Sequence, residues 1–333
     1  MGMKRFLAGV IAGLLWLPAL LLHGVARAEG VPVKAEIRRH ILDGDDPARQ
    51  EFDRLVYQSG IEIKSDAPGF GGLSGLRISA DGAQFLAVTD EGNWIKADLV
   101  YEDDRLMGLN NIEIRPLLDA RGKPFKGKGQ GDAEAITLQQ PGRLEGAAYV
   151  SFEREHRVLS YPQGLGGRAS VLPIPPAARK MPGNGGMEAF TRRADGGFLG
   201  ISEDLLNEAG DLQGWLFSGS ESSGVSLRRE GIFSPTDMEF LPDGDLLILE
   251  RRYTVMGGPG MQIRRIRGES IKPGAVLDGE VLINLNARYG IDNFEGLSAR
   301  VTETGDVLIY IVSDNNFNAL QKNLLLVFEL QKP

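Results

Sequence analysis

Five related segments recur along the sequence, each pairing two short apolar runs around a Gly turn, and three of the turns are Asp-Gly. Together these predict an all-β protein built as a β-propeller, because a repeated unit of this size that cannot bury its own apolar faces must stack on its neighbours. The segments cover residues 73–91, 133–154, 187–204, 236–252 and 294–315. Each opens with a small or polar residue and an acid before an apolar pair and closes its second run on a polar and an acidic residue.

The turns come first. Asp81-Gly82, Asp195-Gly196 and Asp243-Gly244, with Pro141-Gly142 and Thr304-Gly305 as weaker equivalents, supply the positive-φ residue of a tight hairpin. Each unit therefore begins with two antiparallel strands. Further apolar runs at 158–161, 171–174, 263–266 and 281–285 bring the count to about four strands per unit of roughly 50 to 60 residues, the size of a propeller blade. The last apolar run, 324–330, supplies only a third strand for the fifth repeat, whereas residues 55–63 form a strand pattern with no repeat of their own. The N-terminal strand is accordingly expected to complete the last blade and cover an open sheet edge. Five blades is the direct count, and residues 31–70 leave room for a degenerate sixth.

Ahead of the repeats, Lys4 and Arg5 precede an unbroken apolar stretch over 6–22, and Ala26-Arg27-Ala28 comes after it. That order is a secretory leader, so cleavage after Ala28 and a single domain over 29–333 are expected, in the periplasm or outside the cell, without a membrane anchor. The chain has no cysteine, which excludes disulfides, a lipidated cysteine and thiolate metal sites. Its net charge is −8, and the leader holds Lys4, Arg5 and Arg27 but no acid, so the chain beyond residue 28 is more acidic still. Nucleic acid is not an expected partner. A monomer acting on a small anionic substrate is expected, with a local cation or arginines reversing the field.

Hairpin direction places the acids. The start of a first strand and the end of a second lie on the same face of a blade, which brings two acidic sets to one mouth of the channel. Glu134, Glu188, Asp237 and Glu295 start first strands, with Ser74 in the equivalent place of repeat one. Asp90, Glu153, Glu203, Glu250 and Asp314 end second strands. A carboxylate ring suits calcium or another hard divalent cation, which takes six to eight oxygens in irregular geometry. The expected metal ligands are Glu134, Glu153, Glu188, Glu203, Asp237, Glu250, Glu295 and Asp314. Arg154 and Arg251 sit directly after acids and match a phosphate or carboxylate, so with Glu134, Glu188 and Glu295 they are the expected catalytic residues.

Other chemistries are less well served. A Ser-His-Asp triad would need His40 or His156, and Gly71-Gly72-Leu73-Ser74-Gly75 has the wrong spacing for a nucleophile elbow. Asp43-Gly44-Asp45-Asp46 and Asp314-Asn315-Asn316 are rich in oxygen but lack EF-hand spacing. The basic, Gly-rich loop over 121–129 reads as a solvated connection or a lid reaching for an anion.

Six motifs carry a resemblance. They are Gly-Asp-Ala-Glu-Ala at 131–135, Val-Ser-Phe-Glu-Arg at 150–154 with Arg157 nearby, Met-Glu-Ala-Phe at 187–190, Leu-Glu-Arg-Arg-Tyr at 249–253, Asn-Phe-Glu-Gly-Leu at 293–297 and Ser-Asp-Asn-Asn-Phe at 313–317. Over about residues 70–330 the chain resembles the exported bacterial family called esterase-like activity of phytase, or phytase-like domain proteins. The resemblance implies a propeller with functional Glu and Asp residues and a phosphoesterase activity by analogy with calcium-dependent propeller phytases. The mouth has few lysines for a polyphosphorylated ring, so phytate itself is not the expected substrate. The functions to separate are a metal-dependent phosphoric ester hydrolase, a binding propeller of the cell envelope without catalysis, and a calcium-dependent lactonase or sugar-ester hydrolase.

Overall fold

The Asp-Gly turns form as expected, with Gly82 at φ 75° and Gly244 at φ 92°. At the first of them, Asp81 accepts a hydrogen bond from the Ala83 amide. Each turn joins the two inner strands of a separate sheet, as do the turns at Gly142 and Gly305, and there are five such sheets. The structure, a computed structural model, describes residues 30–332. The expected leader and its cleavage site lie outside the described residues.

Blade one orders Leu73–Ile78, Gln84–Thr89, Asn93–Glu102 and Arg105–Pro116 from the axis outward, and Val31–Pro32 is added at its rim. Blade two has Ala133–Leu138, Ala148–Phe152, Arg157–Tyr161 and Ser170–Leu172. Blade three runs Ala189–Arg192, Phe198–Leu206, Leu212–Ser218 and Glu221–Leu227, edged by Val276–Leu277 in parallel. Blade four has Ser234–Phe240, Leu246–Thr254, Gly258–Ile266 and Glu280–Asn286. Blade five takes Asn293–Val301, Val307–Asp314 and Asn323–Leu330 from the C-terminal end of the chain.

The fourth strand of blade five is Leu55–Lys64. It pairs antiparallel with Asn323–Leu330, with Leu325 opposite Ile61 and Leu330 opposite Leu55. Glu36–Arg39 then covers its outer side. Residues 31–70 thus edge blades one and five rather than forming a sixth. The first strands of successive blades pack side by side, and that of blade five returns to that of blade one, closing the ring.

Apolar faces of adjacent blades meet in five separate core clusters, one per blade junction. Strands inside the stack are covered on both faces, which is why they read as unbroken apolar runs rather than alternating ones. Leu246, Leu247, Ile248 and Leu249 are all fully buried. Among the described residues no helix is long and apolar enough to cross a membrane.

Candidate functional site

One side chain per blade is turned toward the axis at the start of the first strand. Pairing slips by one residue between Leu73 and Leu76, between Phe152 and Val150 opposite Glu134, between Pro235 and Asp237, and between Phe294 and Gly296. Such a bulge re-aims a side chain at the point where a strand meets a site. The register makes Ser74, Glu134, Thr236 and Glu295 equivalent, and Glu188, directly before Ala189–Arg192, completes the set. A second ring comes from the ends of the second strands. Asp90 pairs with Gly72, Glu153 with Asp132, Glu203 with Gly186, Arg251 with Ser234 and Asp314 with Asn293.

In blade four this register corrects the expected one. Glu188 lies seven residues before Asp195 of its turn, and seven before Asp243 is Thr236, not Asp237; Glu203 lies seven after Gly196, and seven after Gly244 is Arg251, not Glu250. In blade four, counting outward from the Asp-Gly turn therefore finds the right positions, whereas matching acid to acid does not.

Asp237 and Glu250 accordingly do not line the mouth. Asp237 is fully buried below it, where Arg77 donates to both its oxygens at 2.9 and 3.3 Å and the Leu297 amide donates at 2.9 Å. Arg77 also donates to the carbonyls of Leu297 and Met238, so this pair plugs the channel. Glu250 is held by Arg264 through both oxygens, at 2.6 and 2.7 Å, and by Gln262 at 2.9 Å. Each carboxylate is committed to a buried guanidinium.

Above the plug lies a cavity of about 310 Å³ whose wall includes Ser74, Asp90, Glu134, Glu153, Glu188, Glu203, Glu295 and Asp314, with Arg251 and Lys128 as its cations. Six of the eight expected ligands thus meet, together with the expected catalytic residues Glu134, Glu188, Glu295 and Arg251. Arg154, also expected to be catalytic, does not line this cavity; it donates to Asp132 Oδ2 at 2.5 Å with its side chain 42% exposed. The basic loop sends in Lys128, whose Nζ meets Asp90 at 2.5 Å and Asp132 at 3.5 Å. Gly72 makes the Asp90 position available, since a Cβ there would lie 1.9 Å from Asp90 Oδ1. Both histidines among the described residues are engaged elsewhere, with His40 on the Gly290 carbonyl and His156 on those of Met181 and Pro182. Asp43 caps its own turn, accepting from the amides of Asp45 and Asp46.

Two groups of carboxylates bring one oxygen each to within 4.8 Å of one another. They are Asp132, Glu134 and Glu153, and Glu153, Glu188 and Glu203, so Glu153 belongs to both. Lys128 and Asp132 are the residues that acid-matching missed. Asp132 precedes a first strand by one residue, and Lys128 belongs to a loop readable as solvated.

The like charges disfavour one another. Burial, then Asp132 and Glu203, push the Glu153 carboxyl up to about 7. Burial, partly offset by Arg251, pushes Glu295 to about 7, and burial with Asp90 and Glu295 pushes Asp314 to about 8. Glu134 and Glu188 are raised well above the carboxylate range, chiefly by burial and then by their acidic neighbours. A buried oxygen of Asp132, Oδ1, has no hydrogen bond. These features together fit a divalent cation, which would relieve the repulsion and satisfy that oxygen.

A family model described as phytase-like, esterase-like activity of phytase, matches residues 68–317. Comparison with curated proteins finds no match. Among solved structures, the α-L-arabinofuranosidase PaAbf62A of Podospora anserina in complex with cellotriose is similar over 85% of this chain and 98% of its own, at TM-score 0.50 and 14% identity. The catalytic domain of the Coprinopsis cinerea GH62 α-L-arabinofuranosidase covers 84% of this chain and 97% of its own, also at TM-score 0.50 and 14% identity. The PQQ-bound aldose sugar dehydrogenase of Streptomyces coelicolor spans 90% of this chain and 99% of its own at TM-score 0.42 and 12% identity. At these identities the likeness is one of fold.

Proposed function

The chain belongs to the phytase-like family, described as esterase-like activity of phytase, and on that premise we propose that it is an exported phosphoric ester hydrolase dependent on a divalent cation, calcium first. The observation that carries this is the sharing of Glu153 between two carboxylate groups beside a guanidinium and an ammonium. Export rests on the leader pattern of residues 1–28.

The carboxylates around Glu153 would hold the cation, which when bound polarises a phosphoryl oxygen and lowers the pKa of water. Arg251 and Lys128 supply fixed positive charge against the phosphoryl oxygens, in a cavity poor in apolar surface. Glu295 belongs to neither group and titrates near neutrality, held by Arg251 at 2.9 Å and Asn293 at 2.6 Å. It is therefore suited to take a proton from water attacking phosphorus as the P–O ester bond breaks, the leaving oxygen taking a proton in turn. With Arg251 and Lys128 as its cations, the cavity suits one phosphoryl group better than a crowded polyphosphate.

The test is turnover of phosphomonoesters and phosphodiesters by the purified chain, with chelator and with calcium restored. Cation-dependent release of phosphate or alcohol is expected. Binding without turnover would turn the assignment to a non-catalytic propeller, and turnover only of lactones or sugar esters to the carbonyl chemistry.

A further inference from the structure

Glu188 and Glu203 take part in two arrangements that compete for the same carboxylates. With Glu153 they form one of the two carboxylate groups. They are also the partners of Arg251, whose Nη2 lies 3.1 Å from Glu203 and 3.8 Å from Glu188 while its Nε donates to Glu295 at 2.9 Å. A divalent cation held among these carboxylates would lie close to that guanidinium, and the two positive charges repel one another. The other group differs. Asp132 gives Oδ2 to Arg154, and its buried Oδ1 has no hydrogen bond but lies 3.5 Å from the half-exposed ammonium of Lys128. Glu134 accepts only from the Ser74 hydroxyl, at 3.2 Å, and among the described residues has no ion-pair partner. Both groups thus meet internal cations, but the first keeps an oxygen that no hydrogen bond engages and meets the half-exposed Lys128 and Arg154, whereas the second is hydrogen-bonded by the more deeply set guanidinium of Arg251.

Resting on the cation dependence proposed above, we propose that the cavity binds two divalent cations in order. The first enters at Asp132, Glu134 and Glu153. The second enters at Glu153, Glu188 and Glu203 and displaces the guanidinium of Arg251. Arg251 comes from blade four, where the second ring has an arginine in place of its usual carboxylate, so a cation in the second site sends it toward Glu295 and the open cavity. Loading the second site thus frees the positive charge that a phosphoryl group needs. Arg251 is a positioning residue for the second cation as well as a contact for the substrate, and the exchange keeps the cavity neutralised when cations are scarce.

The experiment is calorimetric titration of calcium into the chelator-treated chain, paired with the side-chain Nε–H spectrum of its arginines, the Arg251 signal being assigned by its loss in Arg251→Gln. Two binding events are expected, with the Arg251 signal moving only during the second. Glu203→Gln should remove the second event and leave the first. Arg251→Gln should tighten the second roughly 5- to 150-fold, the usual range of coupling between two competing ligands. A single event, or two events during which the Arg251 signal stays still, would overturn the displacement while leaving cation dependence intact. No calcium binding by any of the three proteins would remove both proposals together.

Discussion

Arg251 Nε donates to Glu295 Oε2 at 2.9 Å while its Nη2 donates to Glu203 Oε1 at 3.1 Å, so one guanidinium ties the axial end of blade four to blades three and five. Burial works against this charge, but Glu295, Glu188 and Glu203 outweigh it and keep the group protonated. The fork geometry matters, since only a planar guanidinium offers donors to two carboxylates on opposite sides.

Arg251→Met is therefore expected to strand three glutamates in the cation-free chain. The loss should be roughly 3 kcal/mol at pH 8, the low end of what removing one partner of a buried pair costs, because the side chain keeps 27% exposure. At pH 5 the freed glutamates take up protons and the loss should shrink. Urea melts at the two pH values check this, and an equal loss at both would mean that Arg251 acts by packing rather than charge.

The blade count and the closing strand were legible because they derive from pattern. Asp-Gly turns mark hairpins locally, and the missing fourth strand of the last repeat left residues 55–63 without another place in the fold. The site was legible in part. Glu134, Glu188 and Glu295 each stand where a repeat begins, and that placement depends on the hairpin alone. Asp237 and Glu250 misled because an acid at the same apparent position need not share the register, and a one-residue shift reverses which way a strand residue faces. What no local pattern contained was pairing across blades. Arg77 finds Asp237 160 residues away in sequence, and Lys128 finds Asp90 38 residues away.

The channel plug yields a second prediction. Arg77→Met leaves Asp237 buried without its counter-charge and should cost roughly 3–5 kcal/mol. Arg77→Met combined with Asp237→Leu should recover much of that loss, because two apolar groups replace a buried pair. Denaturant melts of the two single variants and the double variant give the coupling, and strictly additive losses would show that the pair does not act as a unit.

Ring closure gives a third. Leu55, Ile61 and Ile63 are buried against the C-terminal strand, and that strand's outer edge would be bare without them. A chain beginning at Pro68 should lose its cooperative melt or associate through the exposed edge, as read by circular dichroism and size-exclusion chromatography. A monomer melting like the parent would show that blade five is stable with three strands.

The last prediction joins pH to calcium. In the cation-free fold Glu153 and Glu295 titrate near 7 and Asp314 near 8, against about 4.3 for glutamate and about 3.9 for aspartate in an unfolded chain. Between those limits the folded state holds protons that the unfolded state has lost. Their contribution is fully present below about pH 4 and disappears as pH climbs through 7 to 8, so in chelator the melting temperature should fall from pH 5 to pH 8. Calcium has the opposite dependence, because it binds the carboxylates only after their protons leave. At pH 8 it should raise the melting temperature by an amount that grows with its free concentration, about 2.7 kcal/mol of stabilisation at a hundred times the dissociation constant. The sequence alone makes Glu295 a ligand of this cation, but its oxygens are committed to Arg251 and Asn293, and the residue common to both carboxylate groups is Glu153. Glu153→Gln should abolish most of the calcium response, whereas Glu295→Gln should retain it. Melts of the three proteins at pH 5 and pH 8, with chelator and with calcium, separate the cases. A parent indifferent to calcium at pH 8 would remove the cation from the site, and a response lost in Glu295→Gln but kept in Glu153→Gln would move it to the other side of the cavity.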